Sequence, residues 1–242
     1  MATIPEAGPS HGTDRETQVR TLFSEIAPRY DLLNHVLSLN IDRRWRRQAV
    51  GLLDWRRQPE GRFLDACAGT FDLSLELASQ PGFEGVVVAT DFALPMLVQG
   101  RGKLGNAITP VCGDALRLPF HDDSFDGATV GFGVRNLSDL RRGFTDLGRV
   151  LRPGARLVIL EFSNPSNPLL RRLYHFYFHR ILPLVGRAVS GHPWAYTYLP
   201  ESVKEFPGPE ELAGLLRESG FREVEWRLVT GGIAAIHVCV SV

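Results

Sequence analysis

Three acids stand where short apolar runs give way to loops. Asp65 sits near the end of Arg62-Phe63-Leu64-Asp65-Ala66, and the small-residue loop Cys67-Ala68-Gly69-Thr70 follows. Asp91 closes Gly85-Val86-Val87-Val88-Ala89-Thr90-Asp91, and Asp114 follows the run 108–112 in Gly113-Asp114-Ala115. A carboxylate at the end of a second strand can accept hydrogen bonds from both hydroxyls of a ribose, a strong charge-assisted arrangement. An acid after the third strand can take an adenine amino proton while the next N–H, that of Ala115, reaches a ring nitrogen. The loop lacks G-x-G-x-x-G and is poorly built for a pyrophosphate. The set suits a nucleoside without phosphates. S-adenosylmethionine fits, because its cationic sulfonium tolerates an acidic pocket. Taken singly, Asp91 reads equally as a helix N-cap and Asp114 as a turn residue. Both acids at successive strand ends, after a small-residue loop, point to cofactor binding.

Elements must hold those acids in line. Val19, Leu22, Phe23, Ile26 and Tyr30 recur at helical spacing within residues 17–47, and Pro28 predicts a break. Asp42 is positioned to cap a second helix over 43–57. Strands are expected at 62–66, 85–91, 108–112, 125–132 and 156–162. Helices are expected at 71–79, 94–103 and 137–151, the last stopped by Pro153-Gly154. Residues 163–206 break the alternation and are rich in Pro and aromatics. A helix at 210–219 ends at Gly220, and strands 224–229 and 233–240 are joined by Thr230-Gly231-Gly232, a hairpin signal. Strands alternating with helices predict an α/β fold whose mostly parallel sheet is covered on both faces. The closing antiparallel hairpin is foreign to a plain dinucleotide-binding domain. The expected organisation is a flexible tail over 1–16 and one domain over 17–242, with N-terminal helices at 17–58 and an insertion at 163–206.

Composition narrows the class. The chain has 242 residues, 44% hydrophobic and 22% charged, which excludes a disordered chain. Lys plus Arg and Asp plus Glu are 27 each, so there is no basic footprint for nucleic acid. Three scattered cysteines, Cys67, Cys112 and Cys239, predict neither disulfides nor zinc, and a cytoplasmic, reducing setting. The N-terminus has no apolar core of a secretory signal, and no run approaches a bilayer-spanning length. His175 and His179 lie four apart without H-E-x-x-H, so no metal site is expected.

Five blocks resemble the UbiE/MenG family of quinone-biosynthesis C-methyltransferases, over nearly the whole chain. They are Phe23-Ser24-Glu25-Ile26-Ala27-Pro28-Arg29-Tyr30-Asp31-Leu32-Leu33-Asn34 with Leu37-Ser38 and Arg43-Arg44-Trp45-Arg46; Phe132-Gly133-Val134-Arg135-Asn136-Leu137; Arg149-Val150-Leu151-Arg152-Pro153-Gly154 with Leu160-Glu161-Phe162-Ser163; residues 196–199 with Glu201-Ser202-Val203 and Phe206-Pro207; and Thr230-Gly231-Gly232-Ile233-Ala234-Ala235-Ile236-His237. The resemblance implies a Rossmann-like seven-stranded methyltransferase sheet, S-adenosylmethionine as donor, and methylation of a ring carbon of a polyprenylated quinol. It places cofactor contacts at Thr70, Asp91, Asp114 and Ala115, beside Asp65, Gly69 and Gly131. It places the reaction at Arg135, Asn136 and Tyr30. Two departures stand out: Phe71 replaces a family glycine, predicting weaker or differently packed cofactor binding, and Gly131 stands where some members carry a serine.

The implied chemistry is in-line transfer to a ring carbon ortho to a deprotonated hydroxyl. Arg135 would stabilise the developing phenolate, Asn136 and Tyr30 would orient the quinol, and the base is a carboxylate, water or His237. A greasy substrate predicts transient membrane-surface contact at the inner face of the cytoplasmic membrane. Two arginine- and aromatic-rich segments, 43–57 and 169–189, are the candidates. A homodimer is left open. The alternatives are the ubiquinone branch or both branches, and a cofactor-binding homologue without turnover because of Phe71; a nicotinamide dehydrogenase is disfavoured by the missing glycine fingerprint.

Overall fold

Strand β2 (Val86–Asp91) is buried at every position but its first, the pattern of a strand covered on both faces. The computed structural model describes residues 13–30, 38, 40–165, 167–176, 180 and 195–242. The other strands are β1 (Arg62–Ala66), β3 (Ile108–Cys112), β4 (Phe125–Gly131), β5 (Leu151–Phe162), β6 (Phe221–Val229) and β7 (Ala234–Ser241). They form one seven-stranded sheet in the order β3-β2-β1-β4-β5-β7-β6. Only β7 runs against its neighbours, pairing antiparallel with both β5 and β6. The expected mostly parallel sheet with an antiparallel C-terminal hairpin is what forms.

Alternation along the strands splits the core in two. Leu157 and Ile159 belong to one apolar cluster, Val158 and Leu160 to the other. The first is covered by α5 (Leu140–Val150) and α8 (Pro209–Glu218), through Phe144, Leu147, Leu212 and Leu216. The second is covered by α2 (Ile41–Leu52), α3 (Asp72–Ala78) and α4 (Leu94–Gly100), through Trp45, Val50, Leu77 and Leu97. Helices α1 (Thr13–Ile26), α6 (Pro168–Phe176) and α7 (Ala195–Glu205) are the others among the described residues.

Several boundaries move for identifiable reasons. Helix α1 starts at Thr13, inside the stretch expected as a tail, and Pro28 opens a short 3-10 turn, Ala27–Arg29. Asp42 does not cap α2. Asn40 takes that position in the left-handed region, and Asp42 lies buried in the first turn, accepting from Ser38 Oγ at 2.6 Å and pairing with Arg46. Helix α2 stops at Leu52, because Asp54 adopts φ 61 before the 3-10 turn Trp55–Arg57. Helix α5 starts at Leu140, where Asp139 accepts the Arg142 N–H. Strand β5 runs through Pro153-Gly154, expected as a stop, because Leu151 already pairs with Phe125 across a register shift. Gly220, with φ +96, ends α8 as expected.

The basic segment 43–57 is not an interfacial helix. Trp45 and Trp55 are buried, and Trp45 Nε1 donates to Thr230 Oγ1 at 2.7 Å. Its aromatics serve the core, and only its arginine face meets water. In the second segment Tyr174 is buried, while Leu169, Leu173 and Phe176 are exposed; residues 177–179 and 181–189, with His179, lie outside the described residues.

Candidate active site

The carboxyl ends of β1, β2, β3 and β4 open into a cleft. It lies where the strand order reverses between β1 and β4, the usual ligand position in such sheets. Tyr30, Gly69, Asp91, Asp114, Ala115, Gly131 and Asn136 line it. A smaller adjoining cavity shares Tyr30, Gly69 and Gly131 with the cleft and adds Asp65, Thr70, Asp72 and Arg46.

Asp91 ties the wall together. One carboxylate oxygen accepts the Gly69 N–H at 2.9 Å and the other the Ala93 N–H at 2.8 Å. Two bonds leave lone pairs on both oxygens, as a ribose diol requires. Burial pushes its carboxyl up, against the pull of these backbone bonds. Asp114 accepts the Leu116 N–H at 2.9 Å, which orients it at the rim beside Ala115. Asp65 is wholly inside. It accepts from Ser74 N and Oγ, at 3.0 and 2.6 Å, and from Thr129 Oγ1 at 3.1 Å. Burial raises its pKa to about 6. Asp65 therefore anchors the loop and α3 to β1 and β4.

Gly69 has φ +55 and no side chain to hinder approach from the cleft. A Cβ at Gly131 would come within 2.6 Å of Leu73 Cδ1, so a serine there would need Leu73 to shift. Cys67 also lines the cleft, but burial, with Asp91 and Asp65, pushes its thiol well up; it is no nucleophile.

Phe71 does not enter the cleft. It precedes α3 with φ 75, and its fully buried ring lies among Leu77 and Leu97. Left-handed backbone costs such a residue about 1–3 kcal/mol, and burying the ring returns about 1.5–3 kcal/mol. The ring has room because the facing residue is Gly100: a Cβ there would meet Phe71 Cδ2 at 2.6 Å. Gly100→Ala is expected to cost about 1–3 kcal/mol in urea denaturation. That penalty should shrink in a Phe71→Gly background without vanishing, because the Cβ would still lie 2.9 Å from Thr70 Cα; an equal penalty in both backgrounds would refute the pairing.

Asn136 faces the cleft, and Tyr198 of α7 donates to its Oδ1 at 2.9 Å. Arg135 is turned the other way, onto a groove with Ser202 and Phe206. It is 7% exposed, and its Nη1 donates to Glu161 Oε1 at 2.8 Å and to the Phe132 carbonyl. Glu161 also accepts the Phe162 N–H at 2.8 Å. Burial works against the guanidinium's charge, but Glu161 outweighs it and holds the pKa above its ordinary value. Tyr174 is buried and feels both charges.

His237 is remote from this chemistry. Its Nε2 lies 2.9 Å from the Pro209 carbonyl, so that nitrogen carries the proton, and its buried Nδ1 has no partner among the described residues. It holds the start of α8 and is not placed as the base. Burial lowers its pKa. Its stabilising contribution is present above the ordinary histidine pKa and lost as pH falls through the lowered one. Wild type should therefore lose Tm relative to His237→Gln below about pH 6.5. A pH-independent difference would contradict this.

Glu161, Tyr198 and Arg46 join this wall through contacts that no motif in the sequence marks. An acid inside the apolar run 157–162 was a readable signal for Glu161. Among the described residues no cluster of His, Cys, Asp and Glu could hold a metal.

A model of the ubiE/COQ5 methyltransferase family matches residues 12–241. The chain belongs to this family. It is 48% identical to a demethylmenaquinone methyltransferase of Thermus thermophilus, over 90% of this chain and 98% of the relative. It is 44% identical to a ubiquinone/menaquinone biosynthesis C-methyltransferase UbiE of Geobacter sulfurreducens, over 93% of this chain and 89% of the relative. Among solved structures, a SAM-dependent methyltransferase from Thermotoga maritima superposes with a TM-score of 0.64 at 19% identity, covering 92% of this chain and 99% of that one. That likeness concerns the fold. The protein is thus a methyltransferase, with S-adenosylmethionine as its cofactor.

Proposed function

We propose that this methyltransferase transfers a methyl group from S-adenosylmethionine to a ring carbon of a polyprenylated demethylmenaquinol. The observation that carries the reading is the cleft itself. Asp91 and Asp114 stand in line at adjacent strand ends, and Asn136 faces the same space. The 48% identity to a demethylmenaquinone methyltransferase supports the naphthoquinol branch.

When bound, S-adenosylmethionine supplies an electrophilic methyl on a sulfonium. Asp91 accepts the ribose hydroxyls, Asp114 and the Ala115 N–H read the adenine, and Gly69 and Thr70 form the floor beneath the amino-acid end. Asn136, its amide oriented by Tyr198, and Tyr30 orient the quinol oxygens. Orientation at near-attack distance supplies much of the rate. Arg135, ion-paired with Glu161, holds the wall behind Asn136. Phe71, with its ring in the core, leaves the cleft open, which favours turnover over binding alone.

Helix α6 exposes Leu169, Leu173 and Phe176 at 70%, 58% and 59%, with Arg171 and Arg172 exposed beside them. We read this face as the contact with an anionic membrane surface that delivers the prenylated substrate. No helix among the described residues is long and apolar enough to cross a membrane.

Quinone profiling of cells lacking this protein tests the reading. Demethylmenaquinone should accumulate, and an unchanged profile would refute it. The ubiquinone reading draws on relatives whose name covers both branches. Paired assays with naphthoquinol and benzoquinol acceptors separate the two.

A further inference from the structure

The cleft and its smaller neighbour are acidic, through Asp65, Asp91 and Asp114. The donor is not wholly cationic, however. Its amino-acid end carries a carboxylate that such a wall would repel. Among the described residues lining the two cavities, the cations are Arg20 and Arg46. Arg20 is exposed and lies 5.4 Å over the Phe92 ring, next to Asp91 at the nucleoside end.

Arg46 is placed differently. It is 7% exposed, comes from α2, and lines the smaller cavity with Gly69, Thr70 and Gly131. The strand ends run β3, β2, β1, β4. With adenine at Asp114 of the β3 end and ribose at Asp91 of the β2 end, the amino-acid end falls at β1 and β4, over that cavity. The guanidinium is gripped from two sides. One Nη pairs with Asp42, and the other lies 3.1 Å from Asp72 Oδ2. Lys103 binds Asp72 at 3.2 Å in turn. A guanidinium has five N–H donors in a fixed fork, and these partners do not exhaust them.

We propose that Arg46 binds the carboxylate at the donor's amino-acid end, with Asp42 and Asp72 as its positioning residues. The inference rests on S-adenosylmethionine being the donor.

Calorimetry with two ligands tests it. S-adenosylhomocysteine keeps the amino-acid end, and 5′-methylthioadenosine lacks it. Arg46→Gln should weaken S-adenosylhomocysteine roughly 10- to 100-fold, the range for a hydrogen bond to a charged group, and methylthioadenosine less than about twofold. Arg46→Lys should recover part of the loss. On the native protein, the carboxamide of S-adenosylhomocysteine should bind weaker by a similar factor, which keeps the test valid if the variant does not fold. Equal weakening of both ligands would overturn the proposal and make Arg46 a tie between α2 and the loop. A carboxamide as tight as the acid would also overturn it. Failure of S-adenosylhomocysteine to bind native protein would instead refute the donor assignment, and this inference with it.

Discussion

Asp91→Ala is expected to weaken S-adenosylhomocysteine binding roughly 100-fold or more, read by calorimetry. Two effects combine. The ribose loses an acceptor of two charge-assisted hydrogen bonds, each worth about 1.5–3 kcal/mol. The Gly69 and Ala93 N–H groups also lose their acceptor, so the loop that forms the pocket floor is released. The second effect predicts a folding cost of about 1–3 kcal/mol per buried N–H left without a partner. Both readouts are needed. A variant that binds within about fivefold of wild type would remove Asp91 from the cofactor site, whatever its stability.

Arg135→Ala is expected to destabilise the fold by about 3–5 kcal/mol, because Glu161 would remain buried without its cation. Turnover alone cannot then report on Arg135, since lost activity could be lost fold. Arg135→Ala/Glu161→Gln removes the stranded charge and should regain most of the stability in urea denaturation. If the double variant folds but stays inactive, the guanidinium acts on the reaction. If it regains turnover, Arg135 only holds the wall behind Asn136. A single variant within about 1 kcal/mol of wild type would contradict the buried pair itself.

Much of the fold was legible because its signals are local. β-branched runs, their length and their alternation with helical spacing depend on neighbours a few residues away. The strands 62–66 and 108–112 fall where the sequence places them. The acids lining the cleft were legible for the same reason: Asp91 and Asp114 mark strand ends, and strand ends in a parallel sheet share one edge. The misplacements are of one kind. Asp42 looks like a cap because it precedes a helix, yet its partners are Ser38 and Arg46 inside the turn. Phe71 looks like an obstacle to the cofactor, yet its ring points into the core, because Gly100 on the next helix leaves room.

What the sequence by itself determined, then, is a mostly parallel sheet with acids at the ends of its strands, and the family to which such a chain is similar. The tertiary structure decided what each charge meets. Arg135 and Glu161 are 26 residues apart and meet because β4 and β5 are neighbours in the sheet. Arg46 reaches Asp72 because α2 packs on α3. His237 turns to α8 and away from the cleft. Strand order and the face a side chain takes are set by packing across the whole sheet, so no local pattern could have announced them.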